Sequence, residues 1–250
     1  MRAFEKTHSG PPQALRDQYL NALAEPQELH VENHVSVGIT WVAGEDAYAV
    51  IHGSTLVELF VVDSLRHQSI DLFDEVMEVS CSSSVLCKSF DTQLLQPALS
   101  RAAQVSPSGY LFRQIGEASF QPLSGIDFKL GTERDAEAIL DFDDGFFSGA
   151  EEITDYVDVD GLFICESAEA IIGCGIARPV ISGRHDVGML VSPKYRRKDI
   201  GTHIVSFLMD HYLRRGSRPI CGCGIENEAS RRTLENAGFV SDHRVLSITY

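Results

Sequence analysis

One order of elements is legible twice along this chain of 250 residues. From residue 12, PQALRDQYLNALA places Leu15, Tyr19, Leu20 and Leu23 at helical spacing. Three apolar stretches of strand composition follow: HVSVGITWVAG, AYAVIHG and TLVELFVVD. A loop, a helix SIDLFDEVMEVS, a strand SSVLCKSF, a short helix TQLLQPALSRA that Pro97 is expected to break, and a strand at 110–114 complete the first pass. The second pass opens on GIDFKL, then ERDAEAILDF, a helix capped by Thr132 with Asp135 three residues on, and a second helix within 141–160. LFICES, AIIGCGIARPV and HDVGMLV read as strands, SPKYRRKDIG as a loop, and IGTHIVSFLMDHYLRRG as a long amphipathic helix. PICGCGI is a strand, NEASRRTLENAG a helix ended by Gly238, and VLSITY a last strand. LVELFVVDSLRHQSIDLF can be laid beside DVGMLVSPKYRRKDIGTH, and SSVLCKSFDTQLL beside RPICGCGIENEAS, the mark of a duplication. The expectation is an α/β fold, a mixed sheet flanked by helices, in two halves: 1–114 and 125–250, joined by a linker at 115–124.

Composition narrows the function classes. Lys+Arg 21 against Asp+Glu 36 gives a net charge of −15, which disfavours nucleic acid and anionic membrane as partners and suits a cationic small molecule. The chain has no apolar run of about 18 residues, and MRAFEKTHSGPPQ lacks the apolar core of a secretory signal, so a cytoplasmic protein is expected. The six cysteines then stay reduced. Only Cys221 and Cys223 are close in sequence, without the second ligand pair of a zinc site, so no metal is expected.

The chemistry concentrates at V-S-P-K-Y-R-R-K-D-I-G-T-H, 191–203, between a strand and a long helix. A helix amino terminus exposes unpaired N–H groups and a positive dipole end that suit a phosphate. Arg196, Arg197 and Lys198 add charge there, and Gly201 lets main chain approach a ligand closely. Together with N-E-A-S-R-R-T-L-E-N-A-G-F at 227–239, this stretch resembles the GNAT superfamily of acyl-CoA-dependent N-acyltransferases. V-x-P-x-Y-R-x-x-x-I-G looks like the family's pyrophosphate motif: Arg or Gln, two residues, Gly, one residue, Gly or Ala.

The resemblance implies acetyl-CoA as cosubstrate. Met189, Leu190 and Val191 would lie on the strand along the pantetheine arm, where a main-chain N–H, with Leu190 central, polarises the thioester carbonyl. Arg196, Arg197, Lys198, Asp199, Ile200, Gly201 and Thr202 would wrap the pyrophosphate. Asn227 and Ser230 would sit against the arm. The general base is sought first at Asp186 and second at Glu166, at the end of LFICES, and the acceptor wall at Asp144, Phe146 and Phe147, within a stretch of eight carboxylates from Asp141 to Asp160. Two departures stand out. Asp199 takes the place of the first glycine, and Leu234 the place of a tyrosine that protonates the leaving thiolate, leaving either Tyr195, Tyr212 or Tyr250 as a substitute or a thiolate that departs unaided.

In the amino-terminal half VVDSLRHQSID has no glycine, so that half resembles a GNAT domain that has lost its cofactor site and serves to pack, to shape the cleft or to dimerise. The function expected is acetyl transfer from acetyl-CoA to a primary amine, on a cationic small molecule, by direct attack in a ternary complex. A protein amino-terminal or lysine acetyltransferase and a non-catalytic acyl-CoA-sensing module are the alternatives.

Overall fold

The computed structural model describes residues 3–118, 123–168, 170–180 and 183–250. They form two compact units, one of 1–111 with 224–226 and 243–250, the other of 112–223 with 227–242. Packing therefore divides the chain differently from its order in sequence, since the last strand begins in the second unit and ends in the first. Among the described residues no helix is long and apolar enough to cross a membrane.

The first unit runs β1 (Glu5–Thr7), α1 (Gln13–Ala22), α2 (Leu29–Val37), β2 (Ile39–Ala43), β3 (Ala47–His52), β4 (Thr55–Val61), a 3-10 turn (Asp63–Gln68), α3 (Ser69–Val79), β5 (Ser84–Lys88), α4 (Thr92–Arg101) and most of β6 (Gln104–Ile115). Three expectations are corrected here. His34–Val37 belong to α2, not to a strand: Val31 and Val35, one turn apart, bury against Tyr19, Tyr48 and Val50, and that packing overrides the strand-like alternation of HVSV. Pro97 does not break α4, because Leu94, Pro97 and Ala98 are buried and the first and last of them share one core cluster. The strand read at 110–114 begins at Gln104. Its Ser, Pro and Gly residues favour a loop locally, but Ile225 N–H donates to the Ser108 carbonyl (2.9 Å) and Ala103 N–H to that of Thr249 (2.8 Å), which holds the stretch extended.

The second unit runs β7 (Asp127–Leu130), a 3-10 turn (Glu133–Asp135) leading into α5 (Ala136–Leu140), α6 (Ala150–Val157), β8 (Leu162–Ser167), β9 (Ala170–Val180), β10 (Arg184–Val191), a 3-10 turn (Pro193–Tyr195), α7 (Ile200–Leu213), β11 (Arg218–Gly224), α8 (Glu228–Asn236) and the start of β12 (Phe239–Thr249). Asp135 works as expected at its helix start, accepting from the N–H and hydroxyl of Thr132, both at 2.8 Å. The strand order is β7-β8-β9-β10-β11, mirroring β1-β2-β3-β4-β5 of the first unit, so the two halves are one mixed α/β plan built twice.

Two features of this plan position the site. β10 pairs with β9 along its whole length, but with parallel β11 only at Arg184–Asp186 against Arg218–Ile220. Beyond Asp186 the two parallel strands part. On the other side, α7 lies close on β9, because Gly173 and Gly175 carry no side chain: a Cβ at 175 would meet Ile204 at 2.9 Å and Leu208 at 3.0 Å.

Candidate active site

The parting of β10 from β11 opens a cleft of about 750 Å³ in the second unit. Met189, Leu190 and Val191 line one side, where the main chain facing the gap has no strand partner in the β10–β11 register. The floor is the loop between β10 and α7. Arg196 Nε donates to the Val191 carbonyl at 3.0 Å, which turns the loop back on the strand. Arg197 and Asp199 both adopt φ of 60°, and Asp199 is left-handed at the helix cap. Left-handed residues alternating with right-handed ones turn successive N–H groups to one side, a concavity that fits an anion.

The first main-chain bond of α7 runs from His203 N–H to the Asp199 carbonyl (2.9 Å), so the N–H groups of Ile200, Gly201 and Thr202 have no partner inside the helix. Gly201 sits where α7 meets α8: a Cβ there would lie 3.1 Å from Thr233 Cγ2. These features fit a pyrophosphate held by main-chain N–H groups at a helix start. Across the cleft, Asn227 caps α8 by accepting the Ser230 N–H at 3.0 Å, and Ser230, Thr233 and Asn236 turn one face of that helix to the cleft.

The third wall is the loop before α6. The Asp143 carboxylate accepts the N–H of Phe146 (2.9 Å) and of Phe147 (3.2 Å), which fixes the turn. Asp144 pairs with Arg196, Oδ2 to Nη2 at 2.8 Å, with both side chains substantially exposed. Phe146 lines the cleft and is 40% exposed, whereas Phe147 is 6% exposed, edge-on to Phe146 with centroids 4.9 Å apart.

The cleft thus brings together, among the residues singled out in sequence, Met189 to Val191, Arg196, Arg197, Asp199 to Thr202, Asn227, Ser230, Asp144 and Phe146. Lys198, Phe147 and Asp186 are not among its lining. Lys198 is exposed beside the loop, its Nζ 5.3 Å from the Tyr195 ring centroid. Asp186 lies on the same strand face as Gly188 and Leu190, about 13 Å along β10 from Leu190, at a rise of about 3.3 Å per residue. Its charge acts on Tyr156, whose phenol is held well above its ordinary range first by burial, then by Glu152 and Asp186.

Leu234 is 1% exposed and belongs to the core. Of the three tyrosines that could replace its missing hydroxyl, Tyr195 lines the cleft, Tyr212 stacks on His185 at 4.1 Å and Tyr250 donates to the Ala98 carbonyl at 2.9 Å. Burial pushes the thiols of Cys165 and Cys174 up to about 12 and raises that of Cys221, so these cysteines stay protonated at neutral pH.

Asp143, Thr233 and Asn236 were missed in sequence. The last two carry a signal in their spacing of three and six from Ser230, which puts small polar residues on one helical face. Asp143 carries one in preceding, by three and four residues, the two N–H groups it accepts. Four of the eight carboxylates at 141–160 have structural partners: Asp143 and Asp144 as above, Glu152 accepting the Ser148 N–H at 2.8 Å, and Asp155 3.8 Å from Arg178.

Residues 132–239 match the acetyltransferase (GNAT) family, and residues 12–115 match a second acetyltransferase (GNAT) domain family. Among solved structures, the chain is similar to an acetyltransferase of the GNAT family from Colwellia psychrerythraea, with TM-score 0.90, 15% identity and 99% of each chain covered. It is similar to a GCN5-related N-acetyltransferase from Sphaerobacter thermophilus, with TM-score 0.63, 14% identity, and 98% of this chain and 95% of the other covered. A tandem GNAT protein from the clavulanic acid biosynthesis pathway matches with TM-score 0.60, 12% identity, and 99% and 98% covered. No curated protein matches the chain.

Proposed function

The chain belongs to the GNAT acetyltransferase family in both of its halves, and from that membership we propose that its carboxyl-terminal unit transfers an acetyl group from acetyl-CoA to a primary amine of a cationic small molecule. The observation that carries this reading is the cleft itself, which brings together the edge of β10 beyond its β11 pairing, the left-handed basic loop and the N–H groups of the first turn of α7. In the proposed complex the pyrophosphate lies on the N–H groups of Ile200 to Thr202, and the pantetheine arm runs between β10 and the face of α8 that carries Ser230 and Thr233. A main-chain N–H near Leu190 then donates to the thioester oxygen, which gains negative charge as the amine attacks. The new C–N bond forms, the C–S bond breaks, and the thiolate departs. Thiols have pKa values near 8.5, so this departure needs little assistance, in keeping with Leu234 where a proton donor is expected.

Direct attack suits a site whose nearby buried thiols stay protonated and uncharged. Asp186 is the proposed base, reaching the ammonium through water from its place along β10. The cationic acceptor is inferred from charge: stretch 141–160 carries eight carboxylates, against which, among the described residues, only Arg178 and Arg196 are paired. Calorimetric titration of acetyl-CoA into the wild type and Gly201→Glu tests the reading. Micromolar binding lost in the variant is expected, followed by turnover in an amine screen that starts from polyamines. Equal affinity in the two proteins would overturn the placement of the pyrophosphate.

A further inference from the structure

One aromatic ring, that of Phe146, lines the cleft beside β10. Gly188 lies two residues before Leu190 on the same face of β10, at the point where β10 has already parted from β11. A Cβ on Gly188 would meet Phe146 Cζ at 3.5 Å, an ordinary van der Waals contact, and Ile176 Cγ1 at 3.1 Å, so the ring edge stands about one methyl group away from the bare strand, beside Ile176. The ring is held in place from three directions. Asp143 fixes the main chain of Phe146 and Phe147, Phe147 buttresses the ring edge-on at 4.9 Å, and Asp144 ties the loop to Arg196 at 2.8 Å. The remaining 40% of its surface is open.

Resting on the acyl-CoA reading of this cleft, we propose that Phe146 ends the acyl slot and restricts the transferred group to a short chain. An acetyl methyl fits against the ring face, where apolar contact is favourable. Each further methylene has to displace a ring that the loop does not release, and an apolar pocket discriminates such additions by about tenfold or more.

The test needs no acceptor. Acetyl-CoA, butyryl-CoA and hexanoyl-CoA are titrated calorimetrically into the wild type, Phe146→Ala and Phe146→Leu, with folding checked by circular dichroism and Phe146→Leu carrying the test if the alanine variant does not fold. The wild type is expected to bind butyryl-CoA about tenfold more weakly than acetyl-CoA, and the alanine variant to narrow that gap to about threefold or less, with leucine between them. Equal wild-type affinity for the short and long thioesters, or a gap that neither variant changes, overturns the proposal and leaves Phe146 as part of the acceptor wall alone. A wild type that binds none of the three overturns the acyl-CoA reading with it, a result plainly different from binding without discrimination.

Discussion

Arg197 and Asp199 hold φ of 60° within three residues of each other, in the loop that meets the proposed phosphates. Each non-glycine residue in that region costs on the order of 1 kcal/mol, and such strain persists where the surroundings over-determine it. Aspartate tolerates the left-handed region better than most residues, which is how the loop keeps its shape without the glycine of the family motif. Its acidic side chain, however, lines the cleft that would receive an anion. Asp199→Gly is therefore expected to tighten acetyl-CoA by about fivefold, equivalent to about 1 kcal/mol, with the gain shrinking as salt is added. Calorimetry at low and high ionic strength checks this, and unchanged affinity at low salt would mean the carboxylate points away from the phosphates. Asp186 supports a second residue-scale prediction. Asp186→Asn should lower kcat/KM more at neutral pH than near the amine's own pKa, where the acceptor already lacks its proton. A loss of equal size across the pH range would assign Asp186 a structural part beside Tyr156.

Most helices and strands were legible because their apolar periodicity agrees with the packing they later find. The basic loop was legible for a different reason: its charge and its glycine conflict with a plain helix start. What escaped was set by partners distant in sequence. α2 is a helix because Val31 and Val35 meet the Tyr19–Tyr48 cluster, and β6 starts at Gln104 because Ser108 finds Ile225. The roles of Gly173 and Gly175 also needed the structure, since AIIGCGIARPV reads as a strand with or without them. A Cβ at Gly173 would sit 2.6 Å from the Leu190 carbonyl oxygen, a main-chain atom that cannot yield without moving β10. Gly173→Ala should cost about 2 kcal/mol, lower the melting temperature by about 4–8 °C and weaken acetyl-CoA together with it. Gly224→Ala, at a position with open space around its Cβ, is the control and should change the melting temperature by no more than about 2 °C. If Gly173→Ala melts like the control, β10 is not positioned by this contact.

At the scale of the molecule the two halves share a plan but not a chemistry, and both stability and ligand count should show it. In the second unit, burial lowers the pKa of His185, His203 and His211, and His203 Nδ1 accepts the Leu123 N–H at 3.2 Å, which requires that nitrogen unprotonated. A histidine whose folded pKa lies below its unfolded value near 6.5 binds fewer protons when folded. Its contribution is present above that pH and is lost on acidification, so the melting temperature should fall between pH 7.5 and 5.5, and less steeply in His203→Gln.

In the first unit, β4 parts from parallel β5 after Leu56 and Val85, just as β10 parts from β11. The sequence alignment sets Glu58 against Gly188 and Asp71 against Gly201. The buried Glu58 carboxylate accepts from Tyr48 Oη (3.0 Å), Gln27 Nε2 (2.7 Å) and Arg16 Nη2 (3.1 Å), while the buried Lys88 ammonium donates to Tyr19 Oη at 2.7 Å. Charged groups so deeply buried hold only as a completely paired network, and no ligand can displace one member without stranding the rest. The turn at 63–68 also has no residue of positive φ among those described, so it lacks the concavity of its counterpart. One acetyl-CoA per chain is therefore expected in calorimetry, and Gly201→Glu should remove all of it. A second equivalent that survives the substitution would place a working site in the amino-terminal half, and would mean that its polar network opens.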